Sequence, residues 1–339
     1  MNLTKKIAAI LLVFVMMFAL ASCAEEETTE LDIGTINIGV IYNGKMDEEG
    51  TFANQHFAAF ENAYSSAGAG GGQINQRDGV VPGDKDAMET TMADLLARGC
   101  KLIVTTDPGY YADVVEHAKA NPTVLFAAMA DFNEANRQEL SNLATFDIRT
   151  FETEYLVGMM AASASASGKI GYVDDAENAT DVNAFAAGAQ AVNPAATVSL
   201  VVTDDVKAGV EAVEKAGCDT VYSRNFAIDE EGTMFFDVPS SVANDMCVNT
   251  LGAEGKFITA SCYNLNRLYT EIITDTVNEK FDEVKGFSTG VKEGVIDVRP
   301  AEDEAVKAKV NAEKDKLFAG ESDIAKLVVS SALNYTVIK

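Results

Sequence analysis

Short apolar runs, each followed by a stretch with helical spacing, recur from residue 36 onward. Ile36–Tyr42 (Ile-Asn-Ile-Gly-Val-Ile-Tyr) is rich in β-branched residues and predicts a first strand; Phe52–Ser65 then repeats its apolar positions at helical intervals. Residues 68–83 are glycine-rich and read as turn. A helix is predicted over Lys85–Arg98, closed by Gly99, with a strand over Lys101–Thr106. Tyr110–Ala120 reads as a helix stopped by Asn121-Pro122, and Val124–Ala128 as the next strand. After a bridge over 142–150 the pattern restarts. Helix 151–166, strand Lys169–Val173, helix 181–192, strand Thr197–Val202, helix 206–216 and strand Asp219–Ser223 follow in turn. Beyond Phe257, brief strands near Ile258 and Val295 alternate with helices over 265–280 and 302–319.

Strands this short and this apolar, spaced by helices, belong in parallel sheets buried on both faces. Two successive runs of like layout predict an α/β fold of two doubly wound lobes, with a ligand cleft at the carboxyl ends of the strands. The expected division is 35–147 with roughly 248–280 in the first lobe, and 148–247 with roughly 281–339 in the second.

The start of the chain has a different character. Lys5 and Lys6 precede an apolar stretch from Ile7 to Ala21, and Leu20-Ala21-Ser22-Cys23 reads as a lipobox. That order predicts a cleaved signal over 1–22, too short and wrongly flanked for a spanning helix. Cys23 would then carry lipid and place the protein on the extracytoplasmic face of the plasma membrane. Residues 23–34 are an acidic tether. The chain carries 52 acidic against 26 basic side chains, a formal charge of −26, and losing residues 1–22 removes two more lysines. Such a surface repels phosphate backbones and excludes nucleic acid as a partner.

Catalytic and metal motifs are missing from the text. Gly68-Ala69-Gly70-Gly71-Gly72 lacks the preceding strand and the Lys-Ser/Thr of a phosphate loop, so it reads as a surface loop. His56 and His117 are the two histidines, too few for a metal cluster. Ser163, Ser165 and Ser167 sit in no nucleophile elbow. An enzyme is not expected, nor a cofactor. Cys100 and Cys218 read as buried apolar residues, while Cys247 and Cys262 leave both the bridged and the unbridged state open.

The loop after the first strand, Tyr42 to Asn54, offers binding chemistry. Asp47 can accept hydrogen bonds, Asn54 can donate and accept, and Phe52 or Tyr42 presents a flat face. The alternative is a solvated turn with Phe52 in the core.

Several segments in order are similar to one family: Asn37–Tyr42, Asp47 with Thr51-Phe52-Ala53-Asn54, Leu102–Tyr110, Phe151–Gly158, Lys169–Val173, Asn183–Ala189, Ala191–Pro194 and Gly290–Val295. They resemble the basic membrane protein family of lipoproteins, substrate-binding subunits of ABC transporters that include bacterial purine-nucleoside receptors. The resemblance implies a type I periplasmic-binding-protein fold, two lobes joined by three crossovers. It implies a nucleoside-like ligand, with Asp47 and Asn54 at the base and Phe52 stacked on the ring. It adds Thr106, Asp107 and Tyr110 from the second strand-loop, and Arg224 and Asn225 from a third. Asp237 would stand where relatives grip ribose hydroxyls, and Gly50 replaces a Trp. The implied partners are permease and ATPase subunits of a transporter, the receptor itself being monomeric. The other reading of the same features is a sensing or signalling lipoprotein with a non-nucleoside ligand and no transport role.

Overall fold

The apolar runs pair into two sheets. The computed structural model describes residues 36–339 apart from 49–50, 68–71, 133–136, 225–245, 250–255, 279 and 330–334. Cys23, Asn225 and Asp237, with the signal and tether, lie outside the described residues. The first sheet holds β1 (Asn37–Ile41), β2 (Ile74–Arg77), β3 (Cys100–Thr105), β4 (Leu125–Met129), β5 (Leu143–Ile148) and β11 (Phe287–Thr289). Their order is β11-β5-β4-β3-β1-β2, and every pairing is parallel. The second holds β6 (Lys169–Asp174), β7 (Thr197–Val202), β8 (Thr220–Ser223), β9 (Met246–Asn249), β10 (Lys256–Tyr263), β12 (Ile296–Val298) and β13 (Tyr335–Val337). Its order is β12-β10-β9-β8-β6-β7-β13. β6, β7, β8 and β13 pair in parallel, and β9 meets both β8 and β10 antiparallel.

The helices are α1 (Phe52–Ser66), α2 (Lys85–Ala97), α3 (Tyr111–Ala120), α4 (Thr150–Ala164), α5 (Ala179–Val192), α6 (Val206–Lys215), α7 (Leu265–Val277), α8 (Phe281–Val284), α9 (Glu304–Ala319) and α10 (Ile324–Val329). Side chains close their amino ends: Asp84 accepts from the Ala87 N–H at 3.0 Å and Asp205 from that of Ala208 at 3.0 Å. No helix among the described residues is long and apolar enough to cross a membrane.

Some strands fall where the sequence pattern reads otherwise. β2 lies within the glycine-rich stretch, since Ile-Asn-Gln-Arg has a single apolar residue and forms an edge. β5 lies in the expected bridge. β9 and β10 belong to the second sheet, although residues from about 248 were expected with the first lobe, and β11 belongs to the first sheet. An apolar run shows that a strand is buried, but not which sheet edge it joins. The β9–β10 register sets Cys247 opposite Thr259, three residues from Cys262. Three residues of strand span roughly 10 Å, beyond the Cα separation a disulfide bridges.

Among the described residues the chain passes between the sheets at Arg149, Asn264 and Gly290–Val295. One cluster ties two of these passages together. The Arg149 N–H donates to the Thr289 carbonyl at 2.7 Å, and its guanidinium reaches Glu152 at 2.6 Å, Glu293 at 2.5 Å and the Ser288 hydroxyl at 2.9 Å. Ser288 donates onward to Asp147 at 2.7 Å, and the Val291 N–H donates to Glu152 at 2.8 Å. At the remaining passage the Asn264 N–H donates to the Val295 carbonyl at 2.6 Å.

The second lobe is centred on α4, buried from Phe151 to Ala162 on every side, as a helix without a polar face must be. It lies against α5 with almost no gap. A Cβ on Gly158 would sit 2.0 Å from the Phe185 carbonyl oxygen, and one on Gly188 1.9 Å from that of Tyr155. These atoms are backbone and cannot step aside, so a methyl group must push the helices apart. Gly158→Ala and Gly188→Ala are each expected to destabilise by about 3 kcal/mol, read from urea unfolding. A loss no larger than that of a surface Gly→Ala change would contradict this packing.

Candidate functional site

Strand order reverses between β1 and β3 in the first sheet, and between β6 and β8 in the second. At such reversals the connecting segments leave in opposite directions and open a crevice at the carboxyl ends of the strands. Each crevice carries part of the expected site.

At the first, the loops after β1 and β3 are joined by Asn43, whose amide donates to Asp107 at 2.9 Å. Asp107 also accepts from the Gly109 N–H at 2.7 Å. Asp47 is exposed on the turn after β1. Asn54 is partly buried, and its amide donates to the Met46 carbonyl at 2.6 Å, which holds that turn against α1. Thr51 caps α1, accepting from the Asn54 N–H at 3.2 Å and donating to the Glu48 carbonyl at 2.9 Å. Thr106 and Tyr110 face inward. The Thr106 hydroxyl donates to the Ile41 carbonyl at 3.1 Å, and the fully buried Tyr110 gives its hydroxyl to the Val80 carbonyl. Both serve the wall's frame, whereas Asp47, Asn43 and Asp107 line its edge.

Phe52 opens α1 with 42% of its surface exposed. It is therefore not the core residue that the alternative sequence reading allowed. Its ring meets His56 edge-to-face at 4.2 Å and 85°, and meets Tyr263, the last residue of β10, at 5.7 Å and 76°. His56 is fully buried, and its Nδ1 is hydrogen-bonded to the Tyr269 hydroxyl of α7. Burial pulls its pKa down to about 3, so the ring is neutral at physiological pH.

At the second crevice Asp174 ends β6 and Arg224 directly follows β8. The guanidinium donates to Asp181 at 2.8 Å and lies 4.0 Å from Asp174. Asp181 is fixed in turn: Thr150 donates to both its oxygens at 2.9 Å, and the Asn178 amide donates at 3.0 Å. Burial raises the Asp174 pKa to about 7; Arg224 opposes that rise, and the neighbouring Asp175 charge adds to it. Asp181 also moves upward, mainly through burial, with a contribution from Asp131 on the loop after β4 of the other lobe. Phe132 of the same loop packs on Phe151 of α4 at 4.9 Å.

Asp174, Asp181, Thr150 and His56 were not among the residues expected from sequence. The signal for Asp174 was present, since a carboxylate ends a predicted strand there as Asp47 follows another. The chemistry of both walls is hydrogen bonding, charge pairing and ring contact. No group of three or more His, Cys, Asp or Glu side chains among the described residues is placed to hold a metal.

The family described as Bmp, ABC transporter substrate-binding protein PnrA-like, matches residues 35–229. This chain belongs to that family. A purine-binding protein of Brucella abortus (strain 2308) is 32% identical over 126 residues, covering 32% of this chain and 35% of that protein's length. Among solved structures, an ABC transporter solute-binding protein from Conexibacter woesei aligns with a TM-score of 0.61 at 20% identity, over 85% of this chain and 98% of its own. An ABC transporter solute-binding protein from Aeropyrum pernix K1 aligns at 0.55 and 17% identity, over 89% and 87%. A transcriptional activator from Bacillus halodurans reaches 0.58 at 12% identity, over 85% and 99%. These likenesses fix the type I fold of periplasmic solute-binding proteins.

Two outcomes follow from the charges. A carboxyl group whose folded pKa lies above its unfolded value binds a proton more tightly when folded, so its effect on stability worsens as pH rises between the two values. Asp174→Asn is therefore expected to match wild type near pH 4 and to melt a few degrees higher at pH 8, checked by thermal denaturation. A gap that narrows as pH rises would contradict this. His56 is expected to keep the imidazole 15N shifts of a neutral ring down to about pH 5. Protonation above that pH would show that the ring is hydrated.

Proposed function

We propose that this protein is an extracytoplasmic receptor, held at the membrane by an acylated Cys23, that captures a purine-bearing ligand and passes it to an ABC permease. A nucleoside suits the two walls best. The observation that carries the reading is Phe52, an aromatic ring left 42% exposed at the start of α1, directly after the crevice loop that holds Asp47. A planar base gains stacking energy from such a ring without demanding one particular set of hydrogen bonds. Asp47 then accepts from base or sugar donors, and Arg224, with Asn225 beside it in sequence, donates from the second lobe. The purine-binding relative from Brucella abortus supports the ligand class.

Transport follows from geometry of this kind. A ligand touching both walls binds the closed arrangement more tightly than the open one, and so shifts the population toward closure. A permease that distinguishes closed from open receptor then accepts the loaded form. The acylated tether keeps the receptor near that permease and raises its effective concentration.

Calorimetry of the full chain with adenosine, guanosine, adenine and ribose tests this. Nucleosides are expected to bind, with Phe52→Ala and Asp47→Ala each weakening binding by about tenfold or more. Ribose binding tighter than either nucleoside, or no heat with any purine, would defeat the reading.

A further inference from the structure

Phe52 does not stand on the cleft wall alone. Its ring rests edge-to-face on His56 at 4.2 Å, His56 is hydrogen-bonded through Nδ1 to Tyr269, and Tyr269 lies against Phe60 at 5.0 Å. Phe52, His56 and Phe60 project from successive turns of α1 at four-residue spacing, and so share one helix face. Tyr269 comes from α7, the first-lobe helix that follows the passage at Asn264. His56 Nε2 is buried and has no hydrogen-bond partner among the described residues. Orphaned buried polar atoms of this kind cost stability.

We propose that His56 is a positioning residue for the ligand platform, locking the Phe52 ring in its half-exposed orientation. The lock has two parts. Tyr269 holds the imidazole plane through Nδ1, leaving the ring no freedom to turn about its own axis. The ordered imidazole then offers Phe52 a single edge-to-face seat, a contact worth more than its area alone. An aliphatic residue at position 56 would fill the space without specifying a ring angle. Burial keeps the imidazole neutral, so the seat is unchanged across physiological pH.

The second contact of Phe52 gives the seat its importance. Tyr263 ends β10 in the second sheet, one residue before the passage, whereas Tyr269 follows it in the first lobe. Any rotation of the lobes at their passages would move Tyr263 relative to Phe52, while His56 and Tyr269 would stay with Phe52. The platform thus belongs to the first lobe and its orientation survives lobe movement. An arriving ring meets a surface already in place and loses no free energy to ordering it.

The inference rests on the reading of Phe52 as a stacking surface, and the test separates the two. His56→Phe alone leaves the Tyr269 hydroxyl without its hydrogen-bond partner, so the informative variant is His56→Phe/Tyr269→Phe, made in the full chain. Without any ligand, the side-chain three-bond couplings of selectively labelled Phe52 report its rotamer. Wild type is expected to show one rotamer and the double variant an average; a single unchanged rotamer in both overturns the proposal. With adenosine, Phe52→Leu is expected to weaken binding about tenfold in the wild-type background and no more than about threefold in the double variant. Equal losses in both backgrounds also overturn it. A wild-type protein that binds no purine defeats the nucleoside reading, and the ligand-free couplings still decide the role of His56.

Discussion

The Arg149 guanidinium is the constraint on which the two-lobed arrangement depends. It sits where one passage between the sheets runs beside another, and it grips Glu152 and Glu293 while donating to Ser288. Burial works against its charge, but the two carboxylates outweigh that and hold it ionised. Gly290 shows how tightly the cluster is drawn: a Cβ there would lie 2.3 Å from Glu152 and 2.8 Å from the guanidinium. Removing one member of such a partly buried cluster leaves its partners' charges unanswered, which costs more than the loss of an exposed surface pair. The bonds span short segments whose chain separation is large, since Arg149 and Glu293 are 144 residues apart. Local propensity cannot bring such segments together. Charge pairing at the crossing ties the carboxyl ends of β5 and β11 to the start of α4 and to the passage toward β12.

With the crossing fixed, the two walls differ in kind. The first sheet is wholly parallel, and its crevice presents an aromatic ring with neutral or exposed polar groups. The second takes antiparallel pairings at β9 and presents buried charge, with Asp174 and Asp181 sharing one guanidinium. Asp181 accepts from Thr150 and Asn178 besides Arg224, and Asp174 accepts from the Asp175 N–H. Burial raises the pKa of both carboxyl groups, that of Asp174 to about 7, and Arg224 opposes the rise at each. Thr150 lies one residue beyond Arg149, so the crossing and the charged wall are built from adjacent positions.

Much of this was legible in the sequence, for physical reasons that also explain the rest. β1, β3, β4, β6, β7 and β8 are interior or near-interior strands, and burial on both faces writes itself as a continuous apolar run. β2 is an edge and needs only one apolar residue, and β11 has three residues, too few for any periodicity, whereas the equally short β12 lies where a brief strand was expected near Val295. Sheet membership differs from expectation for β10, the end of β9 and β11, while β12 and β13 fall in the second sheet with the lobe expected for them, because an apolar run does not say which sheet edge it joins. At the site, Phe52, Asp47 and Asp107 stand where a strand-end rule puts them. Tyr110 and Thr106 follow the same rule but point into the lobe, since the turn after β3 winds tightly from Asp107 to Tyr110 and carries the Tyr110 ring inward. His56 carried no signal. A lone histidine on a helix face announces neither its burial nor a tyrosine 213 residues away.

The contrast between the walls bears on selectivity. A stacking surface discriminates weakly among planar rings, because every ring has a face to offer. Buried hydrogen-bonding groups discriminate strongly, because a ligand lacking the matching group strands a desolvated partner. On the proposed reading the two properties would sit on different lobes, general attraction to a flat ring coming from the first and rejection of a mismatched ring substituent from the second. A ligand that satisfies the first wall alone gains nothing from closure, since its contacts are the same with the lobes apart. On that reading selection and closure would be one event, the groups that reject the wrong ligand being those whose engagement brings the lobes together.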